Sequence, residues 1–375
     1  MRKVSGRSVF LVLAAPIAAL VIAAIISSII LLSTGHSPWD AAQAMWAAMG
    51  RSRIEVAVVN SAGAYYLAAA AVAIGFKMNL LNIGVDGQYK LAAMLAAALA
   101  GSAWMTHLPT FLRVAMTIIA AMLVGAAFGG IAVFLKVTRG VSEVISTIML
   151  NYIAIAIIAY LLTPSRLAVL EGNNIGTRRI TDSGMVPTIT ISGSTTPLYT
   201  LTLLAVLVGV GYALLLNRTV FGFSLRATGL NPAAAVASGI SAKRMAVIAM
   251  LISGAVAGLV GIPELLNGPS HQYSVNFPTG YGITGIAIAL LGRNHPLGMA
   301  FAAVLWASLD GSSNSLQGVG IPAQLVQIMQ GVIVLSVVIA YELVRRYRLI
   351  LEQRDVAKAL PLSGSTGSTS PAVAA

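Results

Sequence analysis

Residues 114–135 read VAMTIIAAMLVGAAFGGIAVFL, a stretch of 22 residues without a charged side chain. An apolar helix of about 20 residues is long enough to cross the hydrocarbon core of a bilayer. The whole chain has a matching composition, because 58% of its 375 residues are hydrophobic and only 9% are charged, compared with about 25% in an average soluble domain. A soluble globule of this size could not bury so much apolar surface. The sequence therefore predicts an all-α integral membrane protein.

Further apolar runs predict about ten transmembrane helices. The clearest is Val9–Leu32, whose 24 residues exceed the roughly 7–15 residues of the apolar region in a cleaved signal peptide, so we interpret it as a retained span. The two spans on either side of Arg293 are short and are typical of broken helices. The ten predicted spans are Val9–Leu32, Ser61–Phe76, Leu91–Met105, Val114–Leu135, Glu143–Leu162, Leu198–Leu216, Met245–Ile262, Tyr281–Leu291, Leu297–Leu309 and Ile321–Glu342.

The distribution of basic residues orients these spans. Alternating ten spans with both termini in the cytoplasm leaves 17 of the 23 Lys and Arg residues on the cytoplasmic side, as the positive-inside rule requires. The same distribution accounts for the net charge of +12, because a nucleic-acid-binding protein would gather its basic residues on one soluble face. We therefore expect most of these basic residues to lie in cytoplasmic loops beside the lipid bilayer. We expect no nucleic-acid partner.

Several classes of chemistry are excluded or disfavoured by residue content. The chain has no Cys, which rules out disulfides, thiol nucleophiles and thiolate metal sites. Its four His residues do not have the spacing of metal ligands, so we expect no metal site. We also expect this chain to bind no cofactor. The chain also lacks the phosphate-binding motif GxxxxGK followed by Ser or Thr. If ATP drives a process here, the ATPase is a separate chain.

Three segments are predicted to lie outside the membrane. Residues 33–60 contain an interfacial helix on the outer face, with Trp39 and Trp46 at the depth of the headgroups. Residues 163–197 form a polar outer loop, in which 188–196 alternate like a strand of a hairpin. Residues 356–375 are of low complexity and are predicted to be a disordered cytoplasmic tail, which leaves 1–355 as the membrane domain.

An internal repeat is predicted from the order of the spans. Spans two to five, in residues 61–162, and spans seven to ten, in residues 245–342, are five spans apart, so the second set has inverted topology. Each set contains a Gly-rich polar interruption, at 79–88 and at 280–295. Matched interruptions in inverted halves mark the central path of many transporters. The alternative is that both interruptions are ordinary loops.

Polar stripes on two spans are candidates for contact with a solute. Glu143, Thr147 and Asn151 share one face of span five, and Gln324, Gln327 and Gln330 form a similar stripe on span ten. Amides suit an uncharged hydroxylated ligand, although both stripes could instead join helices to each other. Aromatic residues that could stack on a ring are Tyr65, Tyr66, Tyr152 and Trp306. The candidate substrate-path residues are Asn82, Asp86, Gln88, Thr147, Asn151, Tyr152, Gln327 and Gln330.

The cytoplasmic loop 218–244 carries four basic residues and no acidic one. Within it, Asn231-Pro232 begins an Ala-rich helix and Gly239 follows its end, which is the usual punctuation of a short helix. Such a helix, held between two spans, is suited to docking into a groove of a cytoplasmic partner; the alternative is a plain connection. The candidate coupling residues are Arg226, Gly229, Asn231, Pro232, Ala233, Ala234, Gly239 and Lys243.

Three motifs resemble a known family. The stretch NIGVDGQ at 82–88 is similar to its NIGVEGQ signature, with Asp86 where Glu is usual, and GVSEVISTIMLNYIA at 140–154 is similar to its GVNEVISTIMLNYIA. The stretch ATGLNPAAAVASGI at 227–240 resembles its coupling-loop signature, G-x-NP-x-A-A-x-x-x-G-I. The chain thus resembles permease subunits of bacterial ABC importers of the branched-chain amino acid and simple-sugar type, and within them the nucleoside-type branch.

This resemblance implies a ten-span subunit without enzymatic activity in the cytoplasmic membrane. Such permeases work in pairs, with an ATPase whose two nucleotide-binding modules are commonly fused, and with an extracellular substrate-binding lipoprotein. ATP is bound by the partner. We therefore expect a nucleoside importer; the alternatives are a simple-sugar importer and, from another class, an ion-coupled secondary transporter. An ion-coupled transporter usually needs ionisable residues at the membrane midplane, whereas Glu143 and Glu264 lie near the ends of predicted spans.

Overall fold

A computed structural model describes residues 21–171 and 174–359, and helices dominate it. The helices are α1 (Val21–Ser33, described from Val21), α2 (Pro38–Met49), α3 (Ser52–Phe76), α4 (Val85–Ala100), α5 (Thr110–Arg139), α6 (Glu143–Leu161), α7 (Leu203–Arg218), α8 (Val220–Leu230), α9 (Pro232–Ala237), α10 (Ala242–Gly258), α11 (Ile262–Asn267), α12 (Tyr281–Leu291), α13 (Pro296–Gln317) and α14 (Ala323–Ala359).

Six helical stretches in the described part are long and apolar enough to cross a membrane alone. They are α3, α5, α6, α7 with its preceding turn, α10 with α11, and the first 22 residues of α14. The pair α1–α2 makes a seventh if it is one span, although its helices are bent by 114°. The other predicted spans correspond to α4 and α12, which have only 16 and 11 residues, and to α13, whose second half is polar. The count of ten therefore stays a prediction.

The boundaries of several elements differ from the predicted ones. Helix α4 begins at Val85 and not at Leu91, so Asp86 and Lys90 lie in its first two turns and form an ion pair there. The two opposite charges neutralise each other, which lets the helix extend through a charged stretch. Helix α14 continues to Ala359, past the predicted end of the membrane domain at 355. The rest of the predicted tail, 360–375, and the first part of the first span lie outside the described residues.

The outer connections are partly as predicted. A helix, α2, is present where the interfacial helix is predicted, with Trp39 and Trp46 exposed by 71% and 84%. Its position at the membrane surface stays a prediction. The predicted strand at 188–196 is much shorter, because only β3 pairs with β4 in an antiparallel ladder. A second hairpin, β1–β2, was not predicted. The strands are β1 (Ala168–Glu171), β2 (Asn174–Thr177), β3 (Thr188–Ile189) and β4 (Leu198–Tyr199).

Helix α3 lies at the centre of the bundle and packs against α7, α10, α12 and α13. Its middle, from Leu67 to Ala73, has no exposed surface, and five of these seven side chains are alanines. Lipid tails are as apolar as the helices, so association in a bilayer depends on close packing and not on burial from water. Small side chains permit that close approach on every face of α3.

The tightest helix crossing joins α5 to α10 through glycines spaced four residues apart. A Cβ atom at Gly125 would lie 2.2 Å from the carbonyl oxygen of Gly254, and one at Gly254 would lie 2.4 Å from the carbonyl oxygen of Gly125. One turn on, a Cβ at Gly258 would lie 2.1 Å from the carbonyl oxygen of Ala121. The two backbones are therefore in direct contact, with no room for a side chain.

We expect Gly254→Val to separate α5 from α10 and to lower stability by about 1–3 kcal/mol, because the added atoms meet backbone that cannot move aside. The measurement is thermal unfolding of the purified protein in detergent. Gly211→Val on α7 is the matched control, since a Cβ there meets nothing within 4 Å. Equal unfolding temperatures of the two variants would contradict a backbone-to-backbone crossing.

Candidate functional site

The two polar interruptions of the predicted repeat meet each other. Helix α4 begins within the first, at Val85, and α12 begins within the second, at Tyr281. Asp86, in the first turn of α4, accepts hydrogen bonds through Oδ1 from the backbone N–H groups of Gly280 (3.1 Å) and Gly282 (3.2 Å). Its Oδ2 pairs with Lys90. The carboxylate thus satisfies two N–H groups at the start of α12, where the helix dipole favours negative charge.

The start of the first interruption is held by a buried amide network. Asn82 and Gln88 are 0% and 1% exposed and exchange two hydrogen bonds of 3.0 Å. Asn82 also donates to Ser253 Oγ on α10 at 2.8 Å, and Ser253 donates to the carbonyl oxygen of Ala71 on α3. Irregular backbone at membrane depth needs such internal partners. The network therefore ties residues 82–88 to both α3 and α10.

The stripe on α6 faces this network, as its spacing predicts. Thr147 is fully buried, and Glu143 is 7% exposed and pairs with Lys136 on α5 at 2.5 Å. Asn151 accepts from the N–H of Gly87 at 2.8 Å and donates to the carbonyl oxygen of Ile83 at 3.0 Å. The side-chain amide of Asn151 therefore holds the backbone of residues 83 and 87. This is the role of joining helices that the sequence analysis gave as the alternative for the stripe.

A second polar cluster lies around Asp310 on α13. Tyr65 of α3 donates to Asp310 Oδ2 at 2.5 Å, and Gln330 of α14 donates to Oδ1 at 2.6 Å. One carboxylate thus joins three helices. Asp310 escaped the sequence analysis because the predicted span ended at Leu309. Ser312, Ser313, Asn314 and Ser315 follow it on the same helix, and this polar run was the signal that α13 continues past the predicted span.

Aromatic rings connect the two polar sites. The ring of Tyr281, at the start of α12, meets Tyr65 edge-on with centroids 5.2 Å apart. It also stacks on Tyr89 of α4 at 5.8 Å. Because Tyr65 binds Asp310 and Tyr281 lies between the two glycines that bind Asp86, the rings join one carboxylate to the other. The sequence analysis named Tyr65 but missed Tyr89 and Tyr281.

Two candidate path residues lie elsewhere. Tyr152 is 66% exposed, on the face of α6 that points away from the bundle and from the amide network. Gln327 is also exposed, on the outer surface of α14, whereas Gln330 one turn later is buried against Asp310. The glutamine stripe is therefore split between an inward and an outward surface.

The predicted coupling helix is present as α9. Asn231 caps it by accepting from the N–H of Ala234 at 3.0 Å, and Pro232 occupies its first turn. Ala233 and Ala234 are exposed and Ala235 is buried, so one face of α9 rests on the protein while the other is open. Gly239 has a φ of +82°, which lets the chain turn sharply after the helix. Lys243 is exposed beyond it.

Two candidate coupling residues, Gly229 and Arg226, contact residues outside this loop. A further helix, α8, precedes α9, and Gly229 lies inside it without a positive φ. Gly229 is instead needed for close packing, since a Cβ there would lie 2.2 Å from the carbonyl oxygen of Lys77. Arg226, another candidate coupling residue, is half-buried, and its guanidinium donates to the carbonyl oxygen of Leu216 at the end of α7. Both residues therefore fix the loop to the membrane domain.

Curated relatives share most of the chain's length. The nucleoside ABC transporter permease protein NupB of Lactococcus lactis is 30% identical over 343 residues, which is 87% of this chain and 90% of the relative. The guanosine ABC transporter permease protein NupP of Bacillus subtilis is 32% identical, covering 87% and 93%. The glucose ABC transporter permease protein TsgB13 of Haloferax volcanii is 30% identical, covering 89% of each. No solved structure matches the chain.

A family model described as branched-chain amino acid transport system / permease component matches residues 55–338. This range includes the amide network, the Asp310 cluster and α9. The match confirms the resemblance found in the three sequence motifs, and the apolar helices agree with a protein of the plasma membrane. The chain therefore belongs to this family of permease components, which are non-catalytic, multi-pass membrane subunits of ABC transporters.

Proposed function

We propose that this chain is the permease subunit of an ABC importer that carries nucleosides into the cell. The observation that carries the proposal is likeness over nearly the whole chain to permeases named for nucleoside and guanosine transport. A simple sugar is the second candidate solute, because a permease named for glucose transport is as similar. Uptake of radiolabelled nucleosides and sugars by cells with and without the chain distinguishes the two candidates.

We propose ten spans in two inverted halves, with both termini in the cytoplasm, and the helix contacts support the two halves. In the first half α5 packs on α10, and in the second half α13 packs on α3, as expected when α3 and α10 are equivalent. Likewise α4 contacts α5 and α6, as α12 contacts α13 and α14. The short helices α4 and α12 would then be equivalent half-spans that meet at Asp86. Residues 1–355 would form the permease domain, and 356–375 a tail that transport does not need.

The proposed substrate path follows the polar groups that cross this fold. It runs from Asp310 and Gln330, past the ring of Tyr281, to Asp86 and the amide network. The described part of the chain offers Gln327 no hydrogen-bond partner, although it lies within the span of α14. A polar side chain at that depth normally faces water or another helix. We therefore place Gln327 on the surface shared with a second permease subunit, where it lines the path between the two.

Loop 218–244 would couple this path to ATP hydrolysis on a partner ATPase with two fused nucleotide-binding modules. The open face of α9 carries small side chains such as Ala233 and Ala234, so it is narrow enough to enter a groove. Leu230, exposed by 88%, lies directly beside it and could be covered there. A substrate-binding lipoprotein would deliver the solute at the opposite face.

The energy source is the first test. We expect uptake to require the partner ATPase and to survive collapse of the proton gradient while ATP is held constant. The measurement is uptake by cells treated with an uncoupler and supplied with a fermentable carbon source. Loss of uptake under those conditions would favour an ion-coupled mechanism.

The second test concerns the path. We expect Gln327→Leu to lower uptake about five-fold, because a lost hydrogen bond to the solute is worth about 1 kcal/mol. Ile328→Leu, at an adjacent exposed position, is the control. Uptake is normalised to the amount of permease in the membrane. If Gln327 instead faces lipid, Gln327→Leu should leave uptake unchanged or should raise both uptake and stability.

The third test concerns coupling. We expect Ala234→Glu to insert normally but to weaken association with the ATPase by about 10²-fold, since it puts an unpaired charge and added volume into a desolvated contact. The measurements are co-purification of the ATPase and solute-stimulated ATP hydrolysis. Thr138→Glu, at the exposed end of α5, is the control for an added acidic charge. Wild-type values for Ala234→Glu would remove α9 from the coupling interface.

A further inference from the structure

A cavity of about 630 Å³ lies where the turn between α12 and α13 meets the end of α3. Its polar rim is formed by Lys77, Arg293 and His295, and its described lining contains no carboxylate. Its remaining walls are apolar and run along membrane-spanning helices, with Leu297 and Phe301 on α13 and Val337 on α14. The cavity thus has a cationic mouth, formed by Lys77, Arg293 and His295, and an apolar interior.

The mouth is built rigidly. Arg293 and Asn294 both have left-handed backbone, with φ of +55° and +52°. Asn adopts this conformation readily, whereas Arg does so only when its surroundings impose it. Tyr212 of α7 fixes the turn by donating to the carbonyl oxygen of Asn294 at 3.0 Å. Gly292 and Gly298 bring the turn against the start of α13, since a Cβ on Gly298 would lie 2.5 Å from the carbonyl oxygen of Gly292. The backbone that carries Arg293 and His295 is therefore fixed by the surrounding helices.

Like charges are crowded at this mouth. Burial lowers the pKa of Lys77, and the positive charges of Arg226 and Arg293 lower it further. An anion between these groups would relieve the repulsion and favour the charged form of Lys77.

The walls decide which anion fits. Leu297 and Phe301 are 76% and 69% exposed, so the cavity opens sideways toward lipid as well as toward water. A second, apolar cavity of about 600 Å³ between α3, α7 and α13 shares His295 and Leu297 with the first. A molecule with a phosphate at one end and two hydrocarbon chains would fill the mouth and both cavities.

We propose that this site binds an anionic phospholipid of the cytoplasmic leaflet, with its phosphate between Lys77 and Arg293 and its acyl chains on either side of Leu297. Basic pockets between transmembrane helices on the cytoplasmic side are a recurring form of headgroup recognition. The proposal goes beyond the transport function and does not depend on which solute is carried.

The test is native mass spectrometry of the purified full chain titrated with phosphatidylglycerol or phosphatidylcholine. We expect tighter binding of phosphatidylglycerol, and a loss of about five-fold for each cation removed in Lys77→Gln and Arg293→Asn. Arg218→Gln, at an exposed cytoplasmic arginine outside the cavity, should bind like wild type. Asn is chosen at 293 because it tolerates left-handed backbone.

Three further measurements distinguish the alternatives. Phe301→Ala keeps the cations and should weaken long-chain phosphatidylglycerol more than a short-chain form. Millimolar inorganic phosphate should fail to displace the lipid, and displacement would indicate a simple anion site. The lipid should stay bound when the ATPase associates, and its release would assign the cations to a protein contact. Equal affinity for both headgroups, or unchanged binding in both cation variants with unfolding temperatures like wild type, would overturn the proposal.

Discussion

The bundle depends on one constraint, which is that backbone interrupted inside a bilayer must find hydrogen-bond partners within the protein. Asp86 meets it for the start of α12 by accepting from the N–H groups of Gly280 and Gly282. Asn151 meets this constraint for residues 83–87, because it donates to the carbonyl oxygen of Ile83 and accepts from the N–H group of Gly87. Without these side chains, α4 and α12 could not be short helices that begin within the fold. The polar residues at this junction are therefore required by the architecture before any solute is considered.

Close packing follows from the same setting. Since the bilayer gives little reward for burying apolar surface between helices, contact must come from fit, and glycine and alanine supply it at α3, α5 and α10. Gly87 shows how packing and hydrogen bonding combine. A Cβ there would lie 2.8 Å from Asn151 Oδ1, so only glycine lets its own N–H reach that oxygen. The glycines in NIGVDGQ thus allow neighbouring helices to approach closely, as well as allowing the chain to turn.

The sequence predicted the helices well and the tertiary contacts poorly, for physical reasons. Hydropathy located a helix for each described span, and helix periodicity put Thr147 and Asn151 on an inward face. Hydropathy could not show that α4 begins at Val85, because the Asp86–Lys90 pair looks like a loop until the two charges are matched. Nor could periodicity separate Gln327 from Gln330, since the orientation of α14 is set by its contact with Asp310. The missed residues, Asp310, Tyr89 and Tyr281, act through partners remote in sequence.

These contacts also link loop 218–244 to the centre of the bundle. Asn79 donates to the carbonyl oxygen of Gly229 at 2.7 Å, and the backbone of Gly229 packs so closely on Lys77 that a side chain would not fit between them. Helix α8 and the turn after α3 must therefore shift together. That turn leads within a few residues into Asn82, whose amide binds both Gln88 and Ser253. A displacement of α9 consequently either moves the start of α4, and Asp86 with it, or breaks buried hydrogen bonds. Because each such break leaves an unpaired polar group in a dry interior, a concerted shift of the loop, α4 and α12 costs less than independent movement.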